Sequence, residues 1–252
     1  MSDEYIRSII SKHNLPAGKD TKTNKALAEL TPKIKSWAGN VLESIRPIGS
    51  YAKGTGVGGS SEIDLLISLD VHTCGTLKDL SDNLFSYLQS NNFYPQRKEY
   101  SLHLIFLNTS VELFLSRSPA SGNTNDVLYN SITNTCLETK TQTHTDLILK
   151  SNRIEEIQAV KIWRTLAGLK FPTLYLELTV LNALFNRKKY RLEKNFLNVM
   201  DYLMDRFLED TVTDPANSKN LSSDLLTGEE KKAVARAAKI ARNQADWSNI
   251  IR

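Results

Sequence analysis

The alternation of apolar and polar positions divides the chain into a mixed first half and a helical second half. Apolar residues recur at helical spacing from Lys25 to Ala38 and from Leu77 to Ser90. Shorter apolar runs predict strands at Val41–Arg46, Ile63–Leu69, Ser101–Leu107 and Ser110–Leu115. Helices and strands in this order, with the last two strands forming a hairpin, predict a small α+β domain.

A polar stretch from Arg117 to Lys140 separates this domain from a region of helical periodicity. The helices predicted there are Ile154–Leu166, Tyr175–Phe185, Leu192–Phe207 and Glu229–Ala245. The hydroxyl of Thr227 and the acidic first turn that follows it are typical of a helix start. We therefore expect an α+β domain over residues 1–116, with an N-terminal helix returning to its core, and a helical bundle over residues 117–252.

Composition favours a globular chain with a sizeable core, since 40% of the 252 residues are hydrophobic. No apolar run approaches the roughly 20 residues of a membrane-spanning helix, and the polar first residues lack the pattern of a signal peptide. Cys74 and Cys136 lie far apart and form no zinc motif with the four histidines. We expect a cytoplasmic protein without membrane insertion, whose net charge of +4 does not by itself indicate a long nucleic-acid track.

The first candidate chemistry lies in a glycine-rich stretch before the second predicted strand. Gly49 and Ser50 open this stretch, and an acid–apolar–acid sequence from Glu62 to Asp64 closes it. Side chains at i and i+2 of a strand point to one face, so Glu62 and Asp64 project together. Two such carboxylates can share hard divalent cations such as Mg²⁺, which keep positions open for phosphate oxygens. Backbone N–H groups of the loop can approach an oxyanion closely.

The same stretch also has a purely structural interpretation, because glycine-rich loops are common and an acidic pair at a strand start is often a solvated edge. Two familiar phosphate-binding motifs are excluded. Lys53 lies too early in the loop for a P-loop, in which Gly-Lys-Ser/Thr follows the glycines. The glycines run from a turn into a strand, whereas a dinucleotide-binding fingerprint runs from a strand into a helix.

Two further charged residues interrupt apolar patterns. Glu112 stands within an apolar strand, where an ionised carboxylate needs a metal, a base or water, unless the strand is an edge and Glu112 faces solvent. Lys161 lies four residues after Ile157 on the helical stripe that should face the core. It requires an anion there, unless its stem follows the core while its ammonium group reaches water.

The order of these features resembles the DNA polymerase beta superfamily of nucleotidyltransferases. The sequence from Gly49 to Asp64 is similar to that of archaeal CCA-adding enzymes and of the bacterial relatives of cyclic GMP-AMP synthase and oligoadenylate synthase. Val160-Lys161-Ile162-Trp163 and the segment from Phe171 to Leu178 resemble the corresponding helices of these enzymes. The resemblance implies a polymerase-beta-type palm, a mixed sheet flanked by helices, followed by a helical domain that completes a nucleotide-binding cleft.

The resemblance also implies roles for the three acids. Glu62, Asp64 and Glu112 are expected to hold two Mg²⁺ or Mn²⁺ ions, one lowering the pKa of an attacking hydroxyl and the other steadying the triphosphate. Glu112 would act as, or beside, the general base. Glutamate at the first and third positions departs from the all-aspartate form of the family, and this departure bears on the spacing of the metals.

The nucleotide-binding residues implied by the resemblance are Gly49, Ser50, Lys53, His144, Lys161 and Tyr175. Ser50 would contact the terminal phosphates and Lys161 would neutralise their charge. His144 could instead satisfy a backbone carbonyl, and a tyrosine in a leucine-rich helix, as at Tyr175, could instead belong to the core. Asp214 and Asn217 match an Asp-Pro-x-Asn turn and are expected to be structural.

Together these expectations describe a template-independent nucleotidyltransferase that joins nucleoside triphosphates, ATP or dATP above all, and releases pyrophosphate. By analogy, the product is a short linear or cyclic oligonucleotide that a downstream effector senses in antiphage defence. Two alternatives stay open. The enzyme could add nucleotides to an RNA 3′ end or to a protein hydroxyl, or the chain could be a non-catalytic nucleotide-binding module, which the complete acid set argues against.

Overall fold

The computed structural model describes residues 2–14, 22–58, 62–118 and 125–252. They form two compact units. The palm unit contains residues 22–52, 62–118 and 125–145, and the helical unit contains residues 2–14, 53–58 and 146–252. This division differs from a single boundary after Ser116, because the start of the chain and part of the glycine-rich loop belong with the helices, and the polar stretch belongs with the sheet. The last part of that loop, from Gly59 to Ser61, lies outside the described residues.

The helices of the described residues follow the predicted periodicity closely. They are α1 (Ser2–His13), α2 (Lys22–Ala38), α3 (Gly49–Ala52), α4 (Leu77–Ser90), α5 (Thr141–Ser151), α6 (Ile154–Leu166), α7 (Thr173–Ala183), α8 (Leu192–Asp205) and α9 (Gly228–Arg242). The bounds predicted for α4 and α6 are confirmed, and those of α2, α7, α8 and α9 differ only near the ends, where helices fray. The predicted cap of α9 is also confirmed, since Thr227 and Glu230 form a reciprocal capping box.

The strands of the palm unit are β1 (Leu42–Ile48), β2 (Ile63–Leu69), β3 (Gln96–Arg97), β4 (Leu102–Phe106), β5 (Thr109–Arg117), β6 (Asp126–Asn130) and β7 (Thr135–Thr139). The helical unit adds a small pair, β8 (Thr213–Asp214) and β9 (Asn217–Leu221). The polar stretch after Ser116, which the sequence assigns to the helical domain without a predicted strand, contains β6 and β7. Most residues of β7 are exposed and polar, so no apolar alternation marks it.

The sheet of the palm unit is mixed, as the fold class requires. Its strands run in the order β1-β2-β5-β4-β3, and β6 joins the end of β5 and pairs with β7. The pairing of β2 with β5 is parallel, whereas β1 with β2 and β4 with β5 are antiparallel. β2 therefore lies between two strands, which explains why it reads as a nearly continuous apolar run.

One face of this sheet is covered by α2 and α4. Leu30 and Ile34 of α2 and Leu84 of α4 pack in the same core as Leu65 of β2 and Leu113 of β5. Because side chains alternate along a strand, the residues next to Leu65 and Leu113 point to the opposite face. Burial of the apolar face thus fixes Asp64 and Glu112 on the other face.

The helical unit has its own core, which contains large aromatic side chains. Tyr175 stacks on Phe207 with ring centroids 5.2 Å apart, and Phe171 meets Tyr175 edge to face. α1 contributes Ile6, Ile9 and Ile10 to this core, which is why the first residues belong with the helices. Within the described residues, none of the helices is both long enough and apolar enough to cross a bilayer.

Candidate active site

The candidate residues form two clusters, one in each unit. In the palm unit, the register of β2 and β5 places Asp64 directly beside Glu112. The register of β4 and β5 places His103 on the other side of Glu112. Paired residues of neighbouring strands share a face, so these three side chains form a row across the sheet. Glu62, two residues before Asp64, lies just outside β2.

Side-chain hydrogen bonds hold the glutamates of this row. Single ligand atoms of Glu62, His103 and Glu112 all lie within 4.8 Å of one another. Ser110 Oγ donates to Glu62 Oε1 at 3.0 Å, and Ser101 Oγ donates to Glu112 Oε2 at 2.9 Å. The hydroxyl groups orient the two carboxylates without neutralising them, so the cluster retains its negative charge.

The pKa of Glu112 reflects its burial and its closeness to Glu62. Burial raises the pKa of Glu112 above its ordinary value, and hydrogen bonding to Glu62 and the charge of Glu62 raise it further. The hydrogen bond from Ser101 acts in the opposite direction. Two like charges at this distance are stabilised by a shared cation, which is the usual reason for such a pair at a metal site.

Asp64 is placed by the Gly49-Ser50 turn rather than by the glutamate pair. Ile48 at the end of β1 pairs with Asp64, so Gly49 follows directly beside the carboxylate. Gly49 has φ +63°, and a methyl group built on its Cα would lie 1.8 Å from Asp64 Oδ2. Only glycine combines this backbone conformation with this close approach. Ser50 is buried in the short helix α3 that begins at Gly49.

In the helical unit, a second cluster surrounds the carboxylate of Glu177 on α7. Lys53 Nζ lies 2.8 Å from Glu177 Oε2, and Lys161 Nζ lies 2.7 Å from Glu177 Oε1. Thr55 Oγ1 donates to Glu177 Oε1 at 2.7 Å and accepts from Lys161 Nζ at 2.8 Å. The side chains of Lys161 and Glu177 are 1% and 0% exposed. The anion that Lys161 requires in the core is therefore Glu177.

Burial and the neighbouring charges act in opposite directions on the pKa values of Lys161 and Glu177. Burial lowers the pKa of Lys161 to about 8, although the charge of Glu177 opposes that shift. Burial also acts to raise the pKa of Glu177, but the charges and hydrogen bonds of Lys161 and Lys53 outweigh it and hold that pKa below its ordinary value. Two ammonium groups share one carboxylate, so the cluster carries a net positive charge.

The other predicted residues occupy varied surroundings. The Tyr175 ring is completely buried against Phe207, which supports the core interpretation rather than stacking on a base. His144 is half-buried on α5. Asp214 Oδ1 accepts from the backbone N–H of Ala216 at 2.8 Å, and Asn217 makes the same kind of turn with Lys219. The structural role expected of this turn is confirmed.

Two residues of these clusters were missed from the sequence. His103 is the single polar residue in Leu102-His103-Leu104, and its position opposite Glu112 requires the hairpin register. Glu177 is the single acid among the leucines of α7, and Lys161 on a core-facing stripe already signalled that an acid was needed. Each signal is visible only once the partner element is known.

Comparison with known proteins places this arrangement in a known fold. No protein family and no curated protein matches the sequence. Among solved structures, CdnC of E. coli MS115-1 in its HORMA-deltaN complex is similar with a TM-score of 0.77 and 20% identity, covering 96% of this chain and 89% of that chain. The CD-NTase CdnG of Bradyrhizobium diazoefficiens, in complex with GTP, has a TM-score of 0.78 and 14% identity, covering 94% and 89%.

A third similar structure is the Cid1 poly(U) polymerase bound to MgATP, with a TM-score of 0.71 and 12% identity over 96% of this chain and 93% of that chain. The chain has the fold of the polymerase-beta-like nucleotidyltransferases. The predicted resemblance and the predicted fold class are both confirmed. At these identities the likeness concerns the fold, and the chemistry rests on the residues described above.

A prediction follows for the stability of metal-free protein. The raised pKa of Glu112 means that its ionised form costs more in the folded than in the unfolded state at pH above its folded pKa, and that this cost vanishes as pH falls below 4.5. In EDTA near pH 7, Glu112→Gln should therefore raise the melting temperature, by about 2–4 °C for each kcal/mol relieved. The difference from wild type should shrink near pH 4.

Thermal denaturation in EDTA, at both pH values, measures this effect. The matched control is Glu29→Gln, which removes the same charge from an exposed position on α2 of the same unit. Mg²⁺ should then stabilise the wild type more than Glu112→Gln. Equal melting temperatures of the wild type and Glu112→Gln at neutral pH would show that Glu62 and Glu112 do not repel each other.

A second prediction concerns the buried cluster of the helical unit. Glu177→Gln leaves two buried ammonium groups without their carboxylate, so we expect a loss of about 3–5 kcal/mol of unfolding free energy. Urea denaturation measures it. Adding Lys161→Met to Glu177→Gln should recover part of the loss, because one of the uncompensated charges is removed.

The control for this experiment is Glu229→Gln on α9, whose ion pair with Lys232 is exposed. Surface pairs of this kind contribute about 0–1 kcal/mol, so this variant should unfold close to wild type. A Glu177→Gln protein with the midpoint of the control would mean that the two lysines are not held by Glu177.

Proposed function

We propose that this protein is a metal-dependent nucleotidyltransferase that joins nucleoside triphosphates into a short linear or cyclic oligonucleotide and releases pyrophosphate. The observation that carries the proposal is the row of acids on one face of the palm sheet, where Asp64 and Glu112 are in register and Glu62 lies beside Glu112. Neighbours with this fold include a cyclic dinucleotide synthase from Elizabethkingia meningoseptica, with a TM-score of 0.73 and 12% identity.

The donor set fits Mg²⁺ or Mn²⁺. Glu62, Asp64 and Glu112 offer carboxylate oxygens on one face, and oxygen ligands suit both ions. His103 lies beside them, but imidazole is better suited to zinc, iron or copper, so the three acids are the expected ligands. When bound, two such ions would lower the pKa of the attacking hydroxyl and neutralise charge on the triphosphate and the leaving pyrophosphate.

Residues of the chain supply the remaining parts of the reaction. Glu112, in register with Asp64, would accept the proton of the attacking hydroxyl as the general base. The Gly49-Ser50 turn presents backbone N–H groups and a hydroxyl for the terminal phosphates, and these hydrogen bonds would strengthen as charge develops there. In the helical unit, the ammonium groups of Lys53 and Lys161 outweigh the single charge of Glu177, so this cluster has a positive potential that favours anions.

By analogy with bacterial signalling enzymes, the proposed product would act in antiphage defence, where a downstream effector would sense it. A second candidate function is addition of nucleotides to an RNA 3′ end. It is favoured by the likeness to the Cid1 poly(U) polymerase. Both reactions make a phosphodiester and release pyrophosphate, and they differ in the hydroxyl that attacks.

The experiment that tests the proposal offers the purified protein all ribo- and deoxyribonucleoside triphosphates with Mg²⁺ or Mn²⁺. Pyrophosphate release is followed, and products are identified by mass. We expect a short oligonucleotide without any added acceptor. Extension of an added RNA oligonucleotide instead would favour the second function, and no pyrophosphate under either condition would refute both. Asp64→Asn should lower turnover by at least about a hundredfold, since it weakens the hold on the cations.

Asp70→Asn is the matched control for Asp64→Asn. It changes an aspartate at the opposite end of β2, where the carboxylate accepts a hydrogen bond from the backbone N–H of His72. This variant should keep wild-type turnover. Equal turnover rates of Asp64→Asn and Asp70→Asn would show that Asp64 is not part of the active site.

A separate prediction tests the glycine of the turn. Gly49→Ala places a methyl group on Asp64 Oδ2, so the carboxylate must move by about an ångström or more. Displacement of a reacting group on this scale costs on the order of a hundredfold in turnover. The assay is the initial rate of pyrophosphate release with Mg²⁺.

Gly39→Ala is the control that separates the effect of the close contact with Asp64 from the effect of the left-handed backbone conformation. Gly39 has φ +56°, close to that of Gly49, but nothing lies within 4 Å of a methyl group built there. Both variants should lose a similar amount of stability, about 1–2 kcal/mol, from the left-handed conformation. Only Gly49→Ala should lose turnover, and a Gly49→Ala enzyme as active as Gly39→Ala would argue against a working role for the turn.

A further inference from the structure

The connection between α7 and α8 carries an unusual concentration of charge. The segment from Phe185 to Lys194, here named the basic segment, contains five cationic side chains and one carboxylate, Glu193. Its net charge of +4 equals the net charge of the whole chain. The excess positive charge of the protein is therefore concentrated in ten residues rather than spread over the surface.

Hydrogen bonds from buried side chains hold the backbone of the basic segment. Arg153, which is buried, donates hydrogen bonds to three carbonyl groups of the turn, those of Leu184, Arg187 and Lys188. Asn195 also donates to the Lys188 carbonyl, at 3.1 Å. Glu156 fixes both donors, at 2.9 Å from Arg153 and 2.8 Å from Asn195. Buried side chains thus fix the backbone from which the cationic side chains of the turn extend.

These side chains surround a cavity of about 220 Å³. Four cationic residues of the basic segment, Arg187, Lys188, Arg191 and Lys194, line it together with three asparagines. Its walls contain no carboxylate among the described residues. Guanidinium, ammonium and amide N–H groups are all hydrogen-bond donors, so the cavity is suited to an oxyanion such as a phosphate.

Asn195 uses its side-chain N–H groups within the protein, but the charged donors of this cavity are not committed to carboxylates. Across residues 2–14, 22–58, 62–118 and 125–252, the four cationic groups make no ion pair. Asn198 Nδ2 is buried at the cavity and has no hydrogen-bond partner in that part of the chain. The first N–H groups of α8, by contrast, are already taken, because Asp3 accepts from Leu192 and Glu193. The anion is therefore expected among the side chains and not at the helix terminus.

Two aromatic residues stand in the sequence of the basic segment among its cations. Phe185 and Tyr190 are 77% and 78% exposed, which is high for large aromatic side chains. Exposed aromatic residues beside unpaired cations are typical of surfaces that bind single-stranded nucleic acids, since bases stack on the rings while the cations hold the backbone. An isolated phosphate or a polyphosphate would make no use of the rings.

We propose that the basic segment is a binding site for single-stranded nucleic acid. A backbone phosphate occupies the cavity on Arg187, Lys188, Arg191 and Lys194, and neighbouring bases stack on Phe185 and Tyr190. This site goes beyond the transfer reaction and does not depend on it, because none of its residues belongs to the acidic row or to the Glu177 cluster.

The test is the anisotropy of labelled single-stranded RNA and DNA oligonucleotides of about 20 nucleotides, titrated with the full chain in EDTA over a range of salt concentrations. EDTA prevents turnover, so the outcome is independent of the proposed reaction. We expect binding that weakens with salt. Arg191→Gln combined with Lys194→Gln should reduce the slope of log K against log salt by up to about 0.7, because the one phosphate in the cavity is then no longer fully neutralised.

Tyr190→Asn distinguishes stacking from charge. Asparagine tolerates the φ of +62° at this position and removes the ring. This variant should weaken binding about 5- to 150-fold while leaving the salt slope unchanged, because one base loses its stacking partner. Comparison of the affinities for RNA and DNA strands then shows whether the site distinguishes ribose from deoxyribose.

The matched control is Arg236→Gln with Lys239→Gln, which removes two exposed cations from α9 of the same unit. It should bind like wild type. The proposal is overturned if no strand binds at about 50 mM salt, if duplex binds as tightly as single strand, or if Tyr190→Asn binds like wild type. If the α9 control weakened binding as much as the variant of the basic segment, the binding would reflect non-specific charge, and this result would also overturn the proposal.

Discussion

The parallel register of β2 and β5 is the constraint on which the candidate active site depends. It sets Asp64 beside Glu112, and a shift of one residue in either strand would turn one carboxylate into the apolar core. That shift is opposed by the burial of Leu65 and Leu113 against α2 and α4. The positions of these two candidate acids are thus fixed by hydrophobic side chains on the other face of the sheet.

Charge is handled in opposite ways in the two units. In the palm unit, Glu62 and Glu112 lie close with hydroxyl partners and a raised pKa, an arrangement that a cation would relieve. In the helical unit, Lys53 and Lys161 lie within hydrogen-bonding distance of Glu177, so the buried charges are largely satisfied within the protein. A buried pair of this kind contributes more to the fixed position of its loop than to net stability, because desolvation offsets much of the attraction. Lys53 and Thr55 thereby hold the middle of the glycine-rich stretch on α6 and α7.

Local pattern predicted the elements with strong periodicity and the residues with anomalous chemistry. The bounds of β2, α4 and α6 and the anomaly of Lys161 could all be read from the sequence, because each depends on spacing within one element. His103 and Glu177 could not, since their roles arise from pairings between distant parts of the chain. β6 and β7 were missed for a related reason, since both are short segments within a polar stretch and form strands only by pairing with each other and with the end of β5. β7 is mostly exposed and polar, whereas β6 contributes Leu128 and Tyr129 to hydrophobic clusters that are assembled from distant parts of the chain.

The acids alone do not decide what the enzyme would make. Each step of linear extension, of cyclisation and of RNA tailing forms one phosphodiester and releases one pyrophosphate, so the same three carboxylates would serve any of the proposed reactions. The reactions differ in which hydroxyl attacks, and hence in what holds the acceptor. Specificity for the acceptor must therefore reside in residues that have no part in the metal chemistry. Within the described residues, the basic segment has the chemistry for holding a strand, with cations lacking ion pairs and exposed rings on a turn fixed by Arg153.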